Sequence, residues 1–385
     1  MRRPRLLLRL YNPVTDTIEL PETDDYAGLF LQNTPMLDVR APVEFLMGAF
    51  PLSDNQPLIN DDEREQIGIK YKDMGQDEAI ALGHTLVQGE VKSTRLEHWK
   101  TFIAQHPQGV LYCFRGGMRS KITQQWIYEN TGVMYPRVKG GYKAMRRFLI
   151  DETEVSAQQI QPVVLGGRTG IGKTLLLNKL RQKIDLEGIL HHRGSVFGKH
   201  VSPQPSQINI ENILSIELLK LREQQFSHLV FEDEAPNIGS RRIPESLYAK
   251  MQLSPLIQLE ASVDERVNIT FQEYIVQSLE EHQQFYGTES GFDKWAEQLR
   301  LSVDKIQRRL GGVRYKALRA LLDSAIEQHQ SVNETQAHKR WIESLLVDYY
   351  DPMYDYQFSK KKERVVFKGS HNDVLLFLQS QYQIS

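Results

Sequence analysis

Residues 160–183 read IQPVVLGGRTGIGKTLLLNKLRQK. The apolar run Val163–Leu165 predicts a buried strand, and Lys173–Arg181 predicts a helix. Between them GRTGIGKT, residues 167–174, is a complete G-x-x-x-x-G-K-[ST] pattern. Backbone N–H groups in such a loop cradle a diphosphate, the lysine reaches the terminal phosphates, and the hydroxyl of the last residue holds Mg²⁺. Gly167, Gly170, Gly172, Lys173 and Thr174 are therefore the candidate diphosphate-binding residues. The pattern alone occurs by chance, but a strand before it and a helix after it give it weight as a Walker A loop.

A second strand, loop and helix lie upstream in VLYCFRGGMRSKITQQWIYEN, residues 110–130. Val110–Tyr112 predicts a buried strand, and from Ser120 onward Ile122, Trp126 and Ile127 share one helical face. Two such units predict α/β architecture with parallel sheets, because each helix crosses over the sheet to return the chain. The loop holds Cys113, the single cysteine of the chain. Gly116 and Gly117 let backbone N–H groups turn inward, Arg115 and Arg119 add positive charge, and Ser120 opens the following helix. Such a cup binds an anion and favours a thiolate at its rim, so Cys113 is the candidate catalytic residue. A buried, inert cysteine is the plainer alternative, but it needs no glycine and arginine cradle. Five residues separate Cys113 from Arg119, which suits a tetrahedral phosphate-like group and looks like a cysteine phosphatase signature. Upstream, residues 37–58, LDVRAPVEFLMGAFPLSDNQPL, resemble the opening of a rhodanese domain through Asp38, Arg40, Glu44, Phe45, Gly48 and Pro51. A structural role in holding loops is expected for those six.

At 385 residues the chain is longer than one core usually supports. The polar segment 151–161, DETEVSAQQIQ, suggests a boundary, giving a rhodanese-like domain at 1–150 and a P-loop NTPase-like α/β domain at 151–265. Residues 266–385 are expected as a mainly helical C-terminal part, with Trp295, Leu299, Val303, Ile306 and Leu310 spaced as a core stripe that Gly311-Gly312 ends. Hydrophobic residues make up 40%, charged residues 25%, and the net charge is −2, so any polyanion must be held by local patches. One cysteine cannot form an internal disulfide, and the first apolar segment is too short and interrupted for a signal peptide or membrane span. A cytoplasmic protein with no membrane association is expected.

Further candidates are less sharply marked. The run Leu229–Phe231 ends in Glu232, Asp233 and Glu234, where Glu232 or Asp233 is the expected acid near a phosphate-bound metal. No histidines are spaced with the cysteine as metal ligands, so no direct protein cage for a metal is expected. For RNA contact the best cluster is Lys139, Lys143, Arg146 and Arg147, with Arg137 beside it; other basic groups are Arg241-Arg242, Arg308-Arg309 with Arg314 and Lys316, and Lys360–Lys362. Tyr142 and Tyr315 are placed to stack on unpaired bases. His191, His192 and Arg193 are candidates either for a site or for packing.

Both loops in this order resemble the bacterial tRNA 2-selenouridine synthases, which join a rhodanese-like domain with a C-[WF]-R-G-G-M-R-S loop to a P-loop domain. The resemblance rests on CFRGGMRS, GGRTGIGKT, LEGILHHRGSVFG at 186–198 and FEDEAPNIGSRRIP at 231–244, and it spans nearly the whole chain. Phe114 stands where tryptophan is frequent. The resemblance implies a two-step exchange at the wobble 2-thiouridine of certain tRNAs: geranylation of sulfur by geranyl diphosphate, then replacement of S-geranyl by selenium from selenophosphate. It implies tRNA and a selenophosphate-producing enzyme as partners and Mg²⁺ accompanying the diphosphate. Two other readings stay open, a cysteine phosphatase with a nucleotide-binding P-loop regulatory domain, and a P-loop ATPase or kinase with an inactive rhodanese-like module.

Overall fold

The computed structural model describes residues 19–384, which divide into two compact units. The first contains the described residues up to Tyr26, Asn33–Val43 and Leu52–Met145; the second contains Ala27–Gln32, Glu44–Pro51 and everything from Arg146 onward.

The first unit carries a five-stranded sheet of β1 (Glu22–Thr23), β2 (Met36–Asp38), β3 (Ser53–Asn55), β4 (Val110–Tyr112) and β5 (Arg137–Val138), in the order β1-β5-β4-β2-β3. All its pairings are parallel. Strands β2 and β4 are buried along their whole length, as parallel strands covered on both faces must be. The helix Met118–Thr131, starting two residues earlier than the sequence suggests, packs Trp126 and Ile127 into a core shared with Trp99, Leu111 and Cys113.

The second unit carries β6 (Gln161–Gly166), β7 (Lys183–Ile184), β8 (His228–Glu232), the antiparallel pair β9 (Asn237–Ile238) and β10 (Arg241–Arg242), β11 (Leu256–Leu259) and β12 (Val365–Gly369). Its main sheet is again all parallel, in the order β12-β11-β6-β8-β7. Strand β6 is central, so the loop that follows it leaves the carboxyl edge of the sheet between β11 and β8, where ligands bind in open α/β sheets. Leu214 and Leu218 of the Gln207–Glu223 helix pack on one side with Leu229 and Phe231. Leu176 and Leu177 join Val163, Leu165 and Val230 in a separate core.

Most of residues 263–382 is helical, and Trp295, Leu299, Val303, Ile306 and Leu310 all enter one core, as their spacing predicts. Three expectations need revision. The C-terminal part also supplies a strand: β12 pairs with β11, and its half-buried pattern VVFKG gives little sequence signal at a sheet edge. Residues 151–159 are helical, forming the end of a continuous helix Gly141–Gln159, because Thr153, Ser156 and Ala157 are buried there despite the polar composition. The helix after the phosphate loop ends at Leu177, where Lys179 and Leu180 bond to carbonyls only three residues back and the chain turns toward β7. Two π-helical turns, Gln272–Gln277 and Leu346–Tyr350, interrupt the helices.

The helical core contains a buried histidine, His338. Trp341 Nε1–H donates to its Nδ1 at 2.9 Å, leaving the ring proton on Nε2, 3.3 Å from His329 Nδ1. Burial, reinforced by His329, pushes its pKa down to about 3. Between that value and the unfolded value of about 6.5 the unfolded chain binds a proton that the fold refuses, so stability present above pH 6.5 is lost as pH falls. The slope from this one group reaches at most about 1.4 kcal/mol per pH unit. Denaturant titrations at pH 7 and pH 5 are expected to show a smaller loss in His338→Gln, whose amide oxygen still accepts from Trp341, than in the wild type. Equal losses would remove His338 from the acid sensitivity.

Candidate active sites

The phosphate loop is held from several elements. Gly170 has φ +73°, and a Cβ there would lie 2.2 Å from Thr270 Oγ1 and 2.9 Å from Arg266 O, so only glycine fits. Arg266, 1% exposed, donates from Nε to Thr169 O at 3.1 Å and binds both oxygens of Asp351 at 3.0 and 2.7 Å. Arg168 pairs with Asp351 and Asp355. Thr169 Oγ1 donates to the Tyr354 hydroxyl at 3.4 Å, and His371 Nε2 lies 3.1 Å from Gly172 O. These contacts hold the loop along a cleft that Lys173 and Thr174 also line.

Carboxylates surround Lys173. Its Nζ is 3.5 Å from Glu234 Oε1, with both side chains about nine-tenths buried. Burial disfavours the ammonium, but Glu234, Glu187, Tyr354 and Glu232 together outweigh it and hold the lysine charged. Burial also raises Glu187 well above the ordinary carboxylate range; Lys173 opposes this, while Glu232 and Glu234 add to it. Glu232, fully buried at the end of β8, is pushed up to about 8, first by burial and against the pull of Lys173. Its Oε2 accepts from Glu187 N at 3.0 Å, and its Oε1 has no hydrogen-bond partner among the described residues. Register explains its position, since Glu232 pairs with Leu165 immediately before the loop.

Asp233 is not part of this set. Both its oxygens bind Lys361 Nζ at 2.7 Å, which also removes Lys361 from the free basic surface. Glu234 takes its place beside Lys173. Sequence reasoning left Glu187 and Glu234 unassigned within segments it had singled out, and it missed Glu273, Tyr274 and Tyr354 altogether. Glu273 and Tyr274 sit in the first π-turn, and Tyr354 follows the second, a local device common at functional sites and invisible to a 3.6-residue period. Arg193 lines the cleft, whereas His191 stacks on His200 and bonds Ser202, and His192 accepts from Gly194 N.

In the first unit Cys113 directly follows β4 and is 3% exposed. Its thiol donates to Ser120 Oγ at 3.2 Å, and Ser120 donates onward to Gly117 O at 3.0 Å. Once the thiol ionises, the same hydroxyl can rotate to donate to sulfur. The loop is closed by the start of the Gly141–Gln159 helix: Tyr142 N and Lys143 N donate to the carbonyls of Cys113 and Phe114, each at 2.9 Å. Gly141, with φ +58°, passes so close that a Cβ would lie 2.2 Å from Cys113 O and 2.5 Å from Gly116 N. Arg137 NH1 donates to Gly116 O at 2.9 Å and pairs with Glu22, so this arginine is structural. Arg115 is exposed and Arg119 half-buried.

Beneath the loop Asp38 and Arg40 form a buried pair, with the guanidinium 2.6 Å from Asp38 Oδ2 and 3.9 Å from the Tyr142 ring centre. Glu44–Pro51 belongs instead to the second unit, where Ala49 is bonded through N and O to Asn209 and Asn212. Of the proposed basic cluster, Lys139 lies 3.7 Å from Asp24, Lys143 is exposed, and Arg147 pairs with Asp151 at 3.0 Å. Arg146 is a correction, since its guanidinium binds Asn212 and Glu211.

The Gly141 contact makes a direct prediction. Gly141→Ala forces the cysteine loop outward, lowering stability by about 1–3 kcal/mol. As Cys113 is the chain's one thiol, mass analysis of iodoacetamide labelling reads the loop cleanly; labelling several-fold faster than wild type is expected, and an unchanged rate would contradict the tight closure.

Comparison with known proteins adds the family. A model described as the tRNA 2-selenouridine synthase AAA domain matches residues 160–384, from the residue before β6 to the end of the described chain. The tRNA 2-selenouridine synthase of Marinobacter nauticus is 49% identical over 349 residues, covering 91% of this chain and 95% of that one. That of Sulfurovum sp. is 46% identical over 361 residues, covering 94% and 99%. That of Bordetella petrii is 48% identical over 358 residues, covering 93% and 96%. With an acid-ringed phosphate loop inside the matched segment and relatives aligned across both loops, this chain belongs to the tRNA 2-selenouridine synthase family.

Proposed function

We propose that this chain converts 2-thiouridine at the wobble position of tRNA to 2-selenouridine in two steps, each served by one loop. The observation that carries this reading is the presence, in a chain of this family, of a complete phosphate loop and a closed cysteine loop built by separate units. In the first step the 2-thio sulfur attacks geranyl diphosphate, forming the S–C bond as the C–O bond to diphosphate breaks. Lys173 and the N–H groups of residues 167–174 stabilise the departing diphosphate, so no nucleotide hydrolysis is required. In the second step selenium adds to the ring carbon and geranylthiol leaves, a better departure than that of the original sulfur. Cys113, with Arg115, Gly116, Gly117, Arg119 and Ser120, holds the tetrahedral selenophosphate and positions its selenium for addition, and water takes the phosphoryl group as phosphate when the P–Se bond breaks. The chain has no second cysteine to resolve a disulfide, so the acceptor is the tRNA itself.

The phosphate cleft fits Mg²⁺. Oxygen donors of the hard type this ion prefers line it, among them the Thr174 hydroxyl and Glu234. Among the described residues no group of three or more His, Cys, Asp or Glu side chains could hold a metal by itself, so the ion would be shared with diphosphate. It would neutralise the leaving group's charge.

The tRNA would be met by exposed Lys143 and by Lys139 and Arg147, whose ion pairs lie at the surface. Among the described residues no helix is long and apolar enough to cross a membrane, which is compatible with a cytoplasmic enzyme supplied by a selenophosphate-producing partner.

Nucleoside mass analysis tests this reading, using 2-thiouridine tRNA, Mg²⁺ and geranyl diphosphate without nucleotide, and then adding selenophosphate. The wild type is expected to give the geranyl adduct and then the selenium base, while Cys113→Ser stops at the adduct. An absolute ATP requirement would remove the nucleotide-free first step, and loss of both steps in Cys113→Ser would make the cysteine structural.

A further inference from the structure

The phosphate-loop pattern leaves one cation of the cleft unexplained. Arg193 comes from the chain between the Leu186–Ile189 and Gln207–Glu223 helices, lines the same cleft as Lys173, and has a side chain only 14% exposed. Its NH2 pairs with Glu281, which also meets His200 Nδ1 at 3.1 Å. Its NH1 is buried and has no hydrogen-bond partner among the described residues. A guanidinium held by one edge, with a donor on the other edge lacking any acceptor, is set for a planar oxyanion contact.

The neighbouring backbone ties this arginine to the lysine. Gly194, at φ +70°, approaches so closely that a Cβ would lie 2.3 Å from Glu187 Oε1 and 3.3 Å from Glu234 Oε2, the acids that surround Lys173. Burial raises Glu273 above the ordinary carboxylate range, and the charges of Arg193 and Lys173 both oppose that shift, which places the two cations near the same side chain. Glu187, Glu234 and Glu273 therefore crowd a cleft in which a single lysine would meet a diphosphate bearing several negative charges. A second donor on those oxygens gains strength as charge gathers on the leaving group.

We infer that Arg193 is a second cationic contact, beside Lys173, for the phosphates of the ligand held at the phosphate loop. This inference rests on the reading of that loop as a diphosphate site. Arg193 supplies directional N–H donors, Lys173 a point charge, and Glu281 sets the arginine's orientation.

The test is calorimetric titration of the full chain with inorganic diphosphate and Mg²⁺, comparing wild type, Arg193→Gln and Arg193→Lys, with thermal unfolding as a check that each variant is folded. Arg193→Gln is expected to weaken binding about 10- to 100-fold, and Arg193→Lys to weaken it less, because the charge survives but the fork does not. If Arg193→Gln does not fold, Arg193→Met, which keeps an apolar stem and removes the charge, takes its place, and wild-type affinity in that folded variant overturns the inference. Wild-type affinity in Arg193→Gln overturns it while leaving the diphosphate site in place. A wild-type protein that binds no diphosphate overturns both.

Discussion

The phosphate site depends on a buried ammonium balanced by carboxylates. Lys173 alone would be expensive to bury as a cation; with Glu234 at 3.5 Å and Glu187 and Glu232 close behind, it stays charged. The same balance restrains the acids, since Lys173 pulls down Glu187 and Glu232 while burial and their mutual repulsion push them up. Much of the second unit serves this arrangement. β8 delivers Glu232 level with the start of the loop, the Arg266–Asp351 pair clamps Thr169, and two π-turns bring in Glu273, Tyr274 and Tyr354. On the proposed function, a phosphate-bearing ligand gives Lys173 a second set of anionic partners.

The cysteine loop solves a different problem. Its frame is made of backbone contacts, with Gly141 against Cys113 O and Gly116 N, and helix N–H groups on the loop carbonyls. The buried Asp38–Arg40 pair stacks on Tyr142, so its two charges neutralise each other. Removing one partner of such a pair costs about 3–5 kcal/mol, which makes it a structural fixture. The thiol hydrogen-bonded to Ser120 is the group that the proposed function makes reactive. On the proposed function, one unit binds and releases a diphosphate and the other holds a thiol beside a tetrahedral anion.

Much of this was legible in the sequence because local signals and global structure agree. Val110–Tyr112 is a strand as read, the expected strand Val163–Leu165 lies within β6, and the stripe from Trp295 to Leu310 is core. What was illegible depends on tertiary contact. Asp233 and Glu234 are adjacent and equally acidic, and only the approach of Lys361 from 128 residues away sends one to an ion pair and the other to Lys173. Glu273 and Tyr354 carry no motif and enter the cleft through π-turns that break the helical period. Arg146 looked like one of a surface cluster until Asn212 and Glu211 were seen to bind it. Strand β12 is half-buried at an edge, where β-patterning is weakest.

The central claim is that the two loops perform separable steps joined by an S-geranyl intermediate. The most direct measurement supplies tRNA already geranylated on sulfur, with selenophosphate, to Lys173→Ala and Cys113→Ser proteins, and follows 2-selenouridine by mass analysis. The account predicts conversion by Lys173→Ala at close to the wild-type rate and none by Cys113→Ser. Failure of Lys173→Ala to convert the geranylated tRNA, with the protein folded, would contradict it and place the phosphate loop in the selenium step as well.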